Sequence, residues 1–234
     1  MPRHLAATLL WVAFVHGCAA QNASVKLAAT PDGLMTLYNH AVHDASVFTA
    51  AHILPLKTPG PGTVAVVTFT PLQDVDPLGP KTTGNEPVWV TLVPEVQDIC
   101  RAWQTTDIIL RLEQLIGLPP GSGDTMMETF TIDSTTLQRP CPDPDPMLPH
   151  CDNTPAVDLS PAYLSFFVGQ TLGAYQVPGG YPWTHLGYTY DWNPASTNHY
   201  GASEYIVPPG SAIVVTAVQT AADYCKPVAP QASR

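Results

Sequence analysis

The sequence predicts an α+β fold: a single domain with a mainly antiparallel β-sheet, two to three packed helices and disulfide bonds. Strand-like segments come before and after a central group of helix-like segments, without the regular alternation that a parallel sheet requires. The apolar fraction of 45% is normal for a packed core, whereas only 12% of residues are charged and 26 are Pro. This composition is typical of a loop-rich, strand-rich extracellular domain and excludes a disordered chain.

The clearest strand pattern is at residues 63–70 (TVAVVTFT), where β-branched residues lie between clusters of Pro and Gly. Residues 71–87 and 138–158 are expected to be loops, and residues 34–56 fit a helix or an extended pair equally well. Further strands are expected at residues 88–93, 128–133, 183–192, 204–207 and 212–218.

Helical periodicity is clearest where five aliphatic residues recur at the spacing of one helix face: Ile108, Ile109, Leu112, Leu115 and Ile116. Thr105 or Thr106 is the expected N-cap, and Gly117 ends this helix. Its polar face carries Arg111, which is expected either to pair with Asp107 four residues earlier or to reach into a ligand site. Two more helices are expected, at residues 95–104 and from Ser160-Pro161 to about residue 172.

The first twenty residues predict a cleavable export signal. Arg3 supplies a positive charge, and residues 5–15 form an uncharged apolar run that is too short to cross a bilayer. Cleavage after Ala19 or Ala20 is one expectation. In the other, residues 15–18 (VHGC) resemble a bacterial lipobox, and Cys18 becomes a lipidated first residue.

The expected organisation is a signal peptide at 1–20, a tether at 21–31, one globular domain at 32–228 and a tail at 229–234, with an extracytoplasmic location. The cysteines agree, because either cleavage takes Cys18 out of the fold and leaves an even number. Of the three possible pairings, the favoured one joins neighbours across a short Pro-rich loop and ties a helix to the C-terminal end: Cys141–Cys151 and Cys100–Cys225.

The charge pattern limits the partners. The net charge is −10 and no cluster of Lys and Arg occurs, which excludes nucleic acid as a partner. A membrane could hold the protein only through lipid on Cys18. The expected ligand is an unidentified small molecule or glycan, and no cofactor or metal site is predicted. Two groups lack the spacing that is diagnostic of a metal site: His40, His43 and His52, and Asp143, Asp145 and Asp152.

Residues 181–192 (YPWTHLGYTYDW) are the richest in candidate chemistry. A straight strand would put alternate residues on a polar face with a shallow gap, where a ring or sugar could lie: Trp183, His185, Gly187, Thr189 and Asp191. Glu204 on the next strand would face Thr189 or Asp191, and the two carboxylates could act as acid and base. The plainer interpretation is an aromatic core strand with an exposed polar face.

Three stretches, PWTHLGYTYDW followed by SEY, RLEQLIGLPP and RPCPDP, resemble parts of an uncharacterised group of bacterial exported proteins. The resemblance covers about the C-terminal 60% of the chain and implies no function. The group more often has Arg at the position of His185, and this departure weakens a catalytic role for His185.

Two functions follow from these patterns. The first is an exported binding or envelope-associated protein whose contact surface lies around residues 181–192 and includes four residues: Trp183, His185, Thr189 and Arg111. The alternative is an extracellular hydrolase or transferase that acts on a polar or sugar-like substrate through Asp191 and Glu204. No GxSxG motif or unpaired cysteine supports a serine or cysteine hydrolase.

Overall fold

A seven-stranded antiparallel sheet organises the part of the chain that the structure describes. The computed structural model describes residues 30–227; the expected signal peptide, Cys18 and the tail lie outside these residues. The strands are β1 (Thr63–Thr70), β2 (Gly79–Thr82), β3 (Val88–Leu92), β4 (Met126–Asp133), β5 (Tyr188–Tyr190), β6 (Tyr200–Val207) and β7 (Ala212–Thr220). Their order is β2-β7-β4-β1-β3-β6-β5, with every pair antiparallel. The predicted α+β single domain is confirmed.

Five α-helices occur between residues 30 and 227, more than the two to three expected. They are α1 (Pro31–Ala45), α2 (Glu95–Arg101), α3 (Ile108–Ile116), α4 (Pro161–Ala174) and α5 (Ala221–Tyr224). Helix α1 settles the ambiguity at residues 34–56 and begins inside the segment expected to be a tether, with Thr30 as its N-cap. Asp107, not Thr105 or Thr106, caps α3 by accepting a hydrogen bond from the Leu110 amide at 3.0 Å.

The two faces of the sheet carry separate apolar clusters, because successive side chains of a strand point to opposite sides. On one face, Val67 and Met127 pack with residues of α2, α3 and α5. On the other face, Val66, Phe130 and Tyr205 pack together with Leu137, which follows β4. Helices α2, α3 and α5 therefore cover one face of the sheet.

Two strand predictions are wrong. Of the expected strand 183–192, only Tyr188–Tyr190 pairs with β6, because the chain folds back between Trp183 and Thr189, which form an isolated bridge. His185 and Gly187 allow this reversal with φ angles of 46° and 76°. Strand β2 was expected to be loop; it contains Gly and Pro, but it lies at an edge of the sheet, where Pro is tolerated.

Both predicted disulfides are present. Cys100–Cys225 joins α2 to the residue after α5, and Cys141–Cys151 closes a loop between residues ten positions apart. Such bonds are typical of an oxidising, extracytoplasmic environment. Between residues 30 and 227, no helix has the length and apolar character needed to cross a membrane.

Candidate functional site

A cavity of about 910 Å³ lies against the sheet face that α3 covers. Its inner wall includes the buried side chains Val67, Leu112 and Met127, and its outer edge includes Met35 and Glu86, which are exposed. The cavity therefore extends from the protein surface into the apolar core.

Aromatic rings form much of one wall. Trp89 of β3 lies edge-on to Tyr181, with ring centroids 6.4 Å apart, and Trp183 packs against Phe167 of α4 at 5.1 Å. Tyr190 also lines the cavity. The segment predicted to carry the site thus contributes to the cavity, but through its aromatic rings and not through a polar strand face.

Glu204 brings a carboxyl group into this apolar space. It lies on β6 opposite Thr91 of β3 and lines the cavity, and its side chain makes no hydrogen bond or ion pair with residues 30–227. Burial raises the pKa of Glu204 to about 8, outweighing the charge of Arg139, which lowers it. At pH 7 the carboxyl group is therefore mainly protonated, and it can donate one hydrogen bond.

Asp191 is bound by Arg111 and does not line the cavity. Nη1 and Nη2 of Arg111 donate to Oδ1 and Oδ2 of Asp191 at 3.0 and 2.7 Å. The Arg111 side chain is only 18% exposed and the Asp191 side chain only 5%. The Arg111 guanidinium lies 4.5 Å from the Trp103 ring centroid. The expected surface pair of Arg111 with Asp107 is wrong, because Asp107 caps α3 and Arg111 reaches across to Asp191.

The hydroxyl group of Thr189 is used within the fold. It donates to the Leu115 carbonyl at 2.7 Å and accepts from the Ala202 amide at 2.9 Å. Trp183 is only 3% exposed, yet its indole Nε1 has no acceptor among residues 30–227. Of the predicted ligand-binding residues, Trp183 and Thr189 both line the cavity, but the Trp183 N–H is buried in the protein and the Thr189 hydroxyl is already bonded.

His185 lies outside the cavity. Tyr175 donates its hydroxyl hydrogen to the Trp183 carbonyl at 2.8 Å, so it must accept from His185 Nδ1, also at 2.8 Å. Burial lowers the pKa of His185 and so favours the neutral ring, and the hydrogen bonds of Tyr175 place the ring hydrogen on Nδ1. His185 thus holds Tyr175 and the reversed chain in place.

No protein-family model, curated protein or solved structure matches the chain in comparisons with each of these.

The predicted gap at Gly187 is absent. A Cβ atom placed there would lie 2.6 Å from Arg139 Cδ and 2.9 Å from both Cys151 Sγ and Leu56 Cδ1. The predicted polar face is also wrong, because Asp191, Thr189 and Trp183 are all buried. Folding back of the chain directs these residues into the protein instead of onto a solvent-facing strand surface.

Sequence reasoning missed Arg139, which is fully buried beside this segment. Its Nη2 donates to the carbonyls of Lys57, Pro146 and Leu148, and its guanidinium lies 4.3 Å from the Tyr205 ring centroid. The one signal in the sequence is a lone Arg beside Pro140 and Cys141. Arg139 therefore holds together the loops behind the sheet, and it does not line the cavity.

The prediction that no metal site is present was based only on the sequence spacing of the His and Asp residues. Within residues 30–227, no group of three or more His, Cys, Asp or Glu side chains lies close enough together to hold a metal ion. His40 and His43 line a surface depression with His199, and His52 lines a neighbouring one that also includes His199.

Proposed function

We propose that the protein binds small, mainly apolar molecules in the cavity beside α3. This proposal rests on the cavity itself, which is about 910 Å³ in volume and has an apolar, aromatic-rich lining. Small-molecule sites commonly measure about 300–1,000 Å³ and combine such a lining with few polar groups. Here the polar residues of the lining include Glu204, Thr91 and the phenols Tyr38 and Tyr190.

This proposal agrees with the predicted binding function but places the binding site in an internal cavity, not on an exposed strand face. Residues 181–192 contribute rings to a cavity wall, and the expected ligand, first an unidentified small molecule or glycan, becomes a small apolar molecule. No specific observation favours the alternative, which is a hydrolase or transferase with Asp191 and Glu204 as acid and base. Asp191 already holds two hydrogen bonds from Arg111 and does not line the cavity.

The cavity is tested with Nile red, a neutral apolar dye whose fluorescence rises on leaving water. We expect saturable binding to the wild-type protein. Ile116→Trp should weaken it by about tenfold or more, because a larger side chain in the wall fills the space that the dye needs. Fluorescence titration measures both dissociation constants.

Ile108→Trp is the matched control. Ile108 and Ile116 both lie on α3 and are both partly buried against the same apolar cluster, but only Ile116 lines the cavity. Ile108→Trp should leave dye binding unchanged. Absence of saturable binding, or equal weakening by the two substitutions, would rule out this cavity as the binding site.

We further propose that the protein is exported through residues 1–20 and is released as a secreted or periplasmic protein, or retained as a lipoprotein at Cys18. The disulfides Cys100–Cys225 and Cys141–Cys151 support export, because they need an oxidising compartment.

Intact mass spectrometry of the protein recovered from a producing bacterium tests this proposal. We expect a mass that lacks the signal segment and is four hydrogens below that of the fully reduced chain. A first residue at or after Ala20 indicates release, and a diacylglycerol mass on Cys18 indicates anchoring. A chain that still begins at Met1, or four free thiols, would contradict export.

A further inference from the structure

The charges that line the cavity are all of one sign. Asp74 and Glu86 are exposed at its edge and Glu204 lies inside, whereas none of the described lining residues is Lys, Arg or His. The chain as a whole carries a net charge of −10. The field at the entrance therefore attracts cations and repels anions.

The aromatic wall has the same preference. Tyr181 lies close enough to Glu204 for the carboxylate charge to add to burial in raising the pKa of Tyr181, and Tyr181 also contacts the ring of Trp89. The faces of Trp and Tyr rings attract a cation that has lost its water. A positively charged group held near Glu204 would thus have a carboxylate and aromatic rings as neighbours.

We propose that the ligands of this cavity are apolar molecules that carry one protonatable amine, and that Glu204 is the counter-ion of that amine. The proposal rests on the binding function proposed above and specifies its ligand class. The cavity encloses the apolar part of the ligand, and Glu204, which has no partner within residues 30–227, accepts a hydrogen bond from the ammonium group.

Binding then releases a proton. At pH 7, Glu204 is mainly protonated and an alkylamine is mainly RNH3+, because aliphatic amines have pKa values of about 10. When the ammonium enters, the Glu204 O–H bond breaks, its proton passes to solvent, and an N–H···O hydrogen bond forms with the carboxylate. No covalent bond to the ligand forms, and total charge and protons balance with one proton released per ligand.

Few other titratable or charged groups in the cavity would affect the release of the Glu204 proton. Arg139 supplies the positive charge that lowers the pKa of Glu204, and the titratable groups that share the cavity with Glu204 are acids and phenols: Asp74, Glu86, Tyr38, Tyr181 and Tyr190. The phenols have raised pKa values through burial and stay neutral below pH 9. Between pH 6 and 8 the main change within the cavity is therefore the ionisation of Glu204.

The test compares decylamine, decanol and decanoate, which share one alkyl chain, as competitors of Nile red at pH 6, 7 and 8. Decylamine should bind most tightly at pH 8, and decanoate should bind most weakly. Decylamine affinity should rise by about tenfold or more from pH 6 to pH 8, because only the ionised fraction of Glu204 forms the pair. Decanol affinity should change by less than about twofold over this range.

Calorimetric titration of decylamine at pH 7, in two buffers of different ionisation enthalpy, counts the protons and should find a release close to one. Glu204→Gln resembles the protonated side chain in shape and should lower decylamine affinity at pH 8 by about tenfold or more while retaining decanol binding. Asp158→Asn, which removes one exposed carboxylate outside the cavity, should leave both affinities unchanged.

Each outcome separates the two proposals. If Nile red and all three alkyl compounds fail to bind, the binding function itself is wrong. If decanol or decanoate binds as tightly as decylamine, if no proton is released, or if Glu204→Gln retains decylamine binding, the cavity is still a binding site but the amine assignment is overturned.

Discussion

Gly201→Ala is expected to prevent stable folding. An alanine Cβ at this position would lie 2.1 Å from both the Leu115 carbonyl oxygen and Thr189 Oγ1, and 2.7 Å from the Thr189 carbonyl oxygen. Two of these atoms are backbone and cannot rotate away. Relief requires β6 to move from α3 and β5, which would break the hydrogen bonds that Thr189 makes with Leu115 and Ala202. We expect a loss of more than about 4 kcal/mol in the free energy of unfolding, a large part of the stability of an ordinary domain.

Gly84→Ala provides the matched control. Gly84 has open space around its Cβ position and an ordinary φ angle. Its substitution should change stability by no more than about 0.5 kcal/mol. Urea denaturation followed by far-ultraviolet circular dichroism, on disulfide-intact protein, measures both variants. A Gly201→Ala protein within about 1 kcal/mol of wild type would show that the strand and helix do not pack this closely.

Breaking the Arg111–Asp191 pair has the second largest expected effect. Arg111→Met leaves the Asp191 carboxylate, only 5% exposed, without its two charged donors. An uncompensated buried charge costs about 3–5 kcal/mol. Asp191→Leu should be harmful for the same reason, because it leaves the Arg111 guanidinium without its acceptor. The double variant Arg111→Met/Asp191→Leu should regain part of the loss, since neither charge remains.

A surface pair gives the comparison. Lys81 and Asp76 also form a salt bridge, but the Lys81 side chain is 36% exposed. Lys81→Met should therefore cost less than about 1 kcal/mol. Urea denaturation of the two single variants, the double variant and Lys81→Met completes the test. Equal losses for Arg111→Met and Lys81→Met would contradict a special structural role for the buried pair.

Sequence patterns correctly predicted the helices and strands that depend mainly on neighbouring residues in the chain. Helix α3 has an apolar face that repeats with the helical period and ends at Gly117, whose φ of 76° suits glycine. Strand β1 occupies the predicted residues because β-branched side chains between Pro and Gly favour an extended chain. The disulfides followed from counting cysteines and from the short spacing of Cys141 and Cys151.

The candidate site depended on contacts that no local pattern contains. Asp107 lies four residues before Arg111, but Arg111 binds Asp191, which lies 80 residues away in the chain. The cavity lining comes mainly from five strands (β1, β3, β4, β5 and β6), helices α1 to α4 and the residues before β5, so its existence depends on the strand order. The sequence identified Glu204 as a candidate acid or base. Its separation from Asp191 could not be predicted without knowing that the chain reverses at His185 and Gly187.

The position of β7 has a consequence for the order in which the sheet is completed. This strand is formed by residues 212–220, almost the last described part of the chain, yet it lies between β2 and β4 inside the sheet. β7, and with it the edge strand β2 that pairs with β7, can therefore join the sheet only once residues 212–220 have left the ribosome. Contacts between strands far apart in sequence also form slowly, which delays this step further. The Cys100–Cys225 bond spans 125 residues and uses a cysteine that follows β7, so it too needs this late part of the described chain.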